Sequence, residues 1–284
     1  MSIPFCRTAA TVRAAALETA ALSRHLLLYP TGLSAEPWPP PAPNGEHPVT
    51  GAPQAPVLLL HGLLDNRAVF TPLRRSLLAD GFQHLYAVNY SPFTADIPTA
   101  AAAFGRQVVR TRQRYGGERV AVVGHSLGGL IARYYVQVLG GGEHVHTLVT
   151  LGTPHAGTRS ALLLGPLPVA RQLLPGSSVF AALRAPAPGC DTRFLSFWGD
   201  LDPLILPGDS ARLDHPDLLV ENVRVPGAGH LALTVQPQVH ALIGRRLTEA
   251  VARTGPATGP ATGPATGPAT GPAAGAELPD RRTA

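Results

Sequence analysis

The chain has 284 residues, enough for one substantial α/β domain with additional segments at its ends. Its 45% hydrophobic residues support a core, and its net charge of +5 comes from scattered arginines, since no lysine occurs; with no basic cluster and no recognition module, no nucleic-acid partner is expected. Cys6 and Cys190 allow at most one bridge and exclude a thiolate metal site, and no apolar run reaches transmembrane length.

From the N-terminus, the spacing predicts a helix over residues 8–29. Arg13 and Arg24 share one face, with Val12, Leu22 and Leu26 near the opposite one. Such a helix either docks on the main domain or lies on a membrane surface with its leucines inward. Arg7, Arg13 and Glu18 interrupt the apolar stretch that a signal peptide would need. Residues 36–54 carry seven prolines and read as a semi-rigid linker or surface loop. The expected organisation is therefore an amphipathic helical segment over 1–35, the proline-rich linker over 36–54, an α/β domain over 55–253 and a tail over 254–284.

The domain opens with Val57-Leu58-Leu59-Leu60, a buried strand running into His61-Gly62-Leu63-Leu64. A helix is predicted over Asn66 to Asp80, a strand over Leu85 to Tyr90, and a second helix over Ala95 to Tyr115 with Gly116-Gly117 as its stop. Further strands are read at 120–123, 147–151, 194–198 and 220–225, with a last helix from about Val235. Strands alternating with helices imply a mainly parallel twisted sheet with helices on both faces. Such sheets place their sites beyond the carboxyl ends of the strands, where His61, Ser126, His155, Asp202 and His230 all fall. Residues 156–189 are leucine-rich and broken by prolines, with short helices at Val169–Leu174 and Ser177–Leu183. They have the size of a small cap insertion, whose leucines either line an acyl pocket or pack the core. The Thr-Gly-Pro-Ala repeat, five copies from Thr254 to Ala273, places a proline and a glycine in every four residues and reads as a disordered tail.

The chemistry centres on Gly124-His125-Ser126-Leu127-Gly128, a G-x-S-x-G motif. It follows the apolar run Val120 to Val123 and precedes Leu127, Leu130, Ile131, Tyr134 and Val138 at helical spacing. Strand, tight turn and helix are the context that a nucleophile elbow requires, and Ser126 is the candidate nucleophile. Glycines flank it because a Cβ there would meet the neighbouring strand and helix. A serine hydroxyl needs a histidine to take its proton, and that imidazole needs an acid to fix its tautomer. His230, in the glycine-rich loop after a strand, is the candidate base. Asp202 is preferred over Asp200 as the acid, being three residues past Gly199 and anchored by Pro203-Leu204-Ile205; both stay open at this stage. Two backbone donors are needed for the oxyanion, and position assigns them to the amides of Leu127 and Leu63. His61, Gly62, His125 and His155 are candidate pocket residues, with His125 pointing into the fold, while His144, His146, His215 and His240 read as surface residues.

HGLLDN at 61–66, GHSLGG at 124–129, LGTPHAGT at 151–158, GDLDP at 199–203 and GAGH at 227–230 together resemble bacterial lipases and esterases of the α/β-hydrolase superfamily, most of all actinobacterial triacylglycerol-lipase-like proteins. The resemblance covers about residues 55–250. It implies the α/β-hydrolase fold and a carboxylic-ester hydrolase with Ser126 as nucleophile, His230 as base and Asp202 as orienting acid. No cofactor is expected. Some lipases carry a structural calcium, but no cluster of carboxylates argues for a metal here. The expected substrate is a small-molecule or lipid ester with an apolar acyl chain. Acyl transfer through the same residues, or a non-catalytic lipid-binding role, are the alternatives. Peripheral membrane contact through the N-terminal helix is expected, with a cytoplasmic or membrane-peripheral location; export and oligomeric state stay open.

Overall fold

Six apolar segments form strands β1 (Val57–Leu60), β2 (Leu85–Val88), β3 (Val120–His125), β4 (Val145–Leu151), β5 (Arg193–Gly199) and β6 (Leu219–Val225). The computed structural model describes residues 4–34, 55–90 and 96–254. The proline-rich linker and the repeat beyond Thr254 therefore lie outside the described residues. All neighbouring strands pair in parallel, in the order β2-β1-β3-β4-β5-β6. β1, β3 and β4 are buried along their whole length, which is why β1 and the start of β3 read as continuous hydrophobic runs and not as alternating ones.

The pleat divides these strands between two cores. Val57, Leu59, Ala121, Val123 and Val149 pack with Leu73 and Leu77 of α2 (Thr71–Ala79) and Val239, Ile243 and Leu247 of α7 (Pro237–Thr254). Leu58, Leu60, Val120, Val122 and Leu148 face α3 (Ile97–Arg114) and α4 (Leu127–Val138). The second core also takes in Val169 and Leu173 of α5 (Pro168–Leu173) and Val179, Phe180 and Leu183 of α6 (Ser178–Leu183), so much of the 156–189 insertion is core. Each such leucine, fully buried, contributes about 1.5–3 kcal/mol. The helix starts have local causes. Asp96 caps α3 by accepting the Thr99 amide at 2.8 Å, and Asn66 accepts the Ala68 amide at 2.9 Å. The latter opens a 3-10 turn, Arg67–Phe70, so the helix expected over Asn66 to Asp80 is in two parts. A second 3-10 stretch, Arg159–Leu164, has no counterpart in the sequence reading.

The N-terminal helix α1 runs from Pro4 to Gly32, longer than its apolar periodicity suggests. It docks on the domain, but not through its leucines. Ala14, Glu18, Ala21, His25 and Tyr29 form its inward stripe, at spacings of three and four residues, while Val12, Leu22, Leu26 and Leu27 are exposed. Small side chains let the helix approach closely, and polar groups find partners there: His25 Nε2 lies 3.2 Å from Asp65, and the Tyr29 backbone carbonyl accepts from Asn66 Nδ2 at 3.0 Å. Three histidines expected at the surface are buried instead. His146 sits in β4 beside Thr147 Oγ1, His215 meets the Ala185 carbonyl and His240 that of Thr234. Each has exchanged water for a fixed partner, a choice that periodicity does not reveal. Burial, with Arg119 nearby, pushes His146 down to about 4.

Candidate active site

The strand order reverses between β1 and β3, so the chain leaves these two adjacent strands in opposite directions and opens a crevice beyond their carboxyl ends. The loop after β1 and the turn after β3 both enter it. At that turn Ser126 has φ 52° and ψ −121°, a conformation that costs a non-glycine residue about 1–3 kcal/mol and persists only where its surroundings enforce it. They do so here. The Ser126 amide donates to the Leu151 carbonyl at 2.9 Å, and Thr153 Oγ1 donates to the Ser126 carbonyl at 3.0 Å. A Cβ at Gly124 would collide with the backbone of Gly128 and Gly129, and one at Gly128 with the carbonyl oxygens of Leu60 and His61. The two glycines thus allow the strand, the turn and β1 to come together.

His230 and Asp202 meet above the neighbouring strands. His230 Nδ1 lies 2.7 Å from Asp202 Oδ2, and both side chains are buried. Asp202 is held in turn, since its Oδ1 accepts the amides of Leu204 at 2.8 Å and Ile205 at 3.2 Å. Those two hydrogen bonds are the physical content of the anchoring expected from Pro203-Leu204-Ile205. Gly152, at φ 57°, leaves room for the pair: a Cβ there would stand 3.1 Å from His230 Nδ1 and 3.3 Å from Asp202 Oδ2. Asp200 is placed elsewhere. It pairs with Arg224 at 2.7 Å and accepts the Gly227 amide at 2.6 Å, bracing the loop that carries His230.

Ser126, His125 and His230 line one cavity of about 360 Å³ with Gly62, Leu63 and Leu127. No side-chain hydrogen bond joins Ser126 to His230. Leu127 is the first residue of α4, so its amide has no partner within the helix. The Leu63 amide likewise donates to no backbone carbonyl among the described residues. Much of the rest of the wall is apolar, with Ala161, Leu163, Leu164, Leu173, Leu204 and Ile205, many of them from the 156–189 insertion, and its polar members are His25, Asp65, Thr158 and Ser160.

Two of the expected pocket residues do not line this cavity. His61 stacks on Tyr90, ring centroids 4.3 Å apart, with its Nδ1 against the Gly62 carbonyl and its Nε2 accepting the Tyr90 amide. Its side chain braces the loop from behind, away from the cavity. His155 is buried between Thr150 Oγ1, 2.9 Å from its Nε2, and Arg133, which also donates to the His155 and Leu183 carbonyls. Its task is to tie α4 to the insertion. Burial, aided by Arg133, holds His155 well below the usual histidine range.

The electrostatics single out one histidine. Burial pulls His230 down, but the charge and hydrogen bond of Asp202, reinforced by Glu18 and Asp65, more than offset it, and His230 stands above its ordinary value. Burial dominates at His125, whose ring centroid is 4.8 Å from that of His230, and carries it below its ordinary value against the pull of Asp65. Asp65 Oδ2 is 3.7 Å from His125 Nδ1, and its Oδ1 accepts the Asn66 amide at 2.6 Å. Two carboxylates near His230 thus escaped the sequence reading. Asp65 lies inside HGLLDN and carried a signal by position; Glu18, more than 200 residues from His230, carried none.

A family model described as the alpha/beta hydrolase fold matches residues 55–171. Among solved structures, the mature lipase BlEst2 of Bacillus licheniformis is similar at 16% identity and a TM-score of 0.59, over 71% of this chain and 96% of that one. Aspergillus fumigatus lipase B aligns at 16% identity and a TM-score of 0.60, over 68% of this chain and 52% of that one. A fungal esterase from Rhizomucor miehei aligns at 22% identity and a TM-score of 0.53, over 70% and 76% of the two chains. The chain has the α/β-hydrolase fold.

Proposed function

We propose that this protein is a serine carboxylic-ester hydrolase acting on esters with apolar acyl chains. The observation that carries the proposal is the buried Asp202–His230 pair at 2.7 Å, whose histidine lines the same cavity as a serine held in a strained strand-to-helix turn. Asp202 accepts from Nδ1–H, which leaves Nε2 as the free base. Nε2 takes the Ser126 proton as Oγ attacks the ester carbonyl, and the amides of Leu63 and Leu127 receive the developing oxyanion. His230 returns that proton to the departing alcohol, leaving an acyl group on Ser126. A water molecule, deprotonated by the same nitrogen, then attacks the acyl carbonyl; the proton goes back to Ser126 Oγ and the carboxylic acid leaves.

The apolar wall from the 156–189 insertion favours a hydrocarbon chain over a polar substrate. At the rim, Leu64, Leu163 and Leu204 are exposed, Leu163 to 87%. With the outward leucines of α1 they support peripheral contact with a lipid surface. No helix among the described residues is long and apolar enough to cross a membrane. The test is hydrolysis of p-nitrophenyl esters from acetate to palmitate, wild type beside Ser126→Ala. Serine-dependent turnover that peaks at medium or long chains is expected. Full activity in Ser126→Ala would overturn the proposal, and an alkyl ester formed in place of the acid when alcohol is added would redirect it to acyl transfer.

A further inference from the structure

The loop that carries His230 is gripped from the far end of the chain. Glu18, on α1, accepts the Leu231 amide through Oε1 at 2.7 Å and the Ala232 amide through Oε2 at 2.9 Å. These amides follow His230 directly and lead into the 3-10 turn Ala232–Thr234, where N–H groups lack intrahelical partners. One carboxylate spanning two such donors makes short, charge-assisted bonds. On the other side of His230, a Cβ at Gly229 would collide with Glu18 Oε2. The residue before His230 and the two after it are therefore all fitted around a single carboxylate.

Docking of α1 does not explain this arrangement, because the helix is already tied down nearer its C-terminal end. His25 pairs with Asp65, Asn66 Nδ2 donates to the Tyr29 carbonyl, Asn89 Nδ2 donates to the Gly32 carbonyl, and Arg67 donates to the carbonyls of Thr31 and Ser34. None of these bonds is to the backbone of residues 229–232. We propose that Glu18 is a positioning residue for the reaction: it fixes the backbone of residues 229–232 so that the His230 ring, held by Asp202 through Nδ1, presents Nε2 to Ser126. The proposal rests on His230 being the base. The groups facing that imidazole are Asp202 from the loop after β5, Asp65 from the loop after β1, His125 from the end of β3 and Glu18 from α1. Glu18 thus adds negative charge beside a ring that becomes positive during catalysis.

The test compares Glu18→Gln, Glu18→Ala and Glu18→Asp in the full chain. Two readouts need no substrate: hydrogen exchange of the Leu231 and Ala232 amides, and NMR titration of the His230 ring, assigned with His230→Gln. The third is kcat and KM on p-nitrophenyl butyrate across pH. In Glu18→Ala and Glu18→Gln the amides exchange faster and His230 titrates at lower pH, because a nearby negative charge is lost. kcat falls by about tenfold or more with KM nearly unchanged, since small misplacements of a catalytic group cost one to two decades. Glu18→Asp restores part of the rate. Unchanged exchange and titration in Glu18→Gln, the variant that keeps shape and one acceptor, would overturn the proposal. So would an activity loss that merely follows a loss of folded protein. Altered exchange and titration in a chain that hydrolyses no ester at all would support the placement and reject the hydrolase reading.

Discussion

Asp202→Asn removes one charge and leaves the shape of the site intact, which makes its effect calculable. Oδ1 of the new side chain still accepts from the Leu204 and Ile205 amides. Its NH₂ group then takes the place of Oδ2, 2.7 Å from His230 Nδ1. A donor there forces Nδ1 to accept, so the ring proton moves to Nε2, the atom that should receive the Ser126 proton. Loss of the correct tautomer in a serine hydrolase costs about 10,000-fold in kcat, equivalent to ~5.5 kcal/mol of transition-state stabilisation. The charge effect is separate. Asp202 raises His230, and only neutral His230 acts as a base, so activity is lost as pH falls through its raised value. In Asp202→Asn that limb moves to lower pH, while the maximal rate collapses. Asp200→Asn is the control: the Asn Oδ1 still accepts the Gly227 amide, and Arg224 is more than half exposed, so that pair is worth at most about 1 kcal/mol and the rate stays near wild type. Steady-state hydrolysis of a p-nitrophenyl ester across pH reads both variants. A rate in Asp202→Asn above a tenth of wild type, or a larger loss in Asp200→Asn, would refute the reasoning.

Gly128→Ala places a methyl group against two carbonyl oxygens of β1 and its loop, backbone that cannot step aside. Destabilisation of about 2–3 kcal/mol is expected from overpacking alone, and a thermal melt indistinguishable from wild type would count against the elbow packing. Gly152→Ala combines a positive φ, worth about 1 kcal/mol of strain, with a methyl pressed on the His230–Asp202 pair. kcat should fall more than stability, checked by comparing rate and melting temperature. Leu163→Ser, on an exposed rim position, should change stability by less than about 0.5 kcal/mol. It should still lower turnover of emulsified long-chain esters relative to soluble acetate, and equal effects on both would show that the rim has no part in chain binding.

The parallel sheet, the elbow and the order of Ser126, Asp202 and His230 along the chain were readable because each has a short-range signature. Continuous apolar runs mark strands buried on both faces, and glycines mark places where backbones touch. The choice between Asp202 and Asp200 was open in the sequence because both follow the same strand. The two differ in what they meet: Asp202 is buried against His230, and Arg224, which draws Asp200 outward, lies 24 residues away. His61 and His155 occupy the right loops but turn to Tyr90 and Arg133, and a ring's direction depends on partners remote in sequence. The docking face of α1 was not legible for a related reason. Its leucines make the stronger periodic pattern, yet the contact uses alanines, the side chains of Glu18 and His25 and the Tyr29 carbonyl, whose partners, Leu231, Asp65 and Asn66, come from other loops. Glu18, at the centre of that contact, had no local feature to mark it.

The most direct test is to treat the protein with a fluorophosphonate and map the adduct by mass spectrometry, with Ser126→Ala and His230→Gln alongside. One phosphonate on the peptide containing Ser126, none in Ser126→Ala and strongly slowed labelling in His230→Gln are expected from a serine that His230 activates. Failure of the wild type to label, or labelling at another residue that persists in Ser126→Ala, would contradict Ser126 as the nucleophile and remove the basis for an acyl-enzyme.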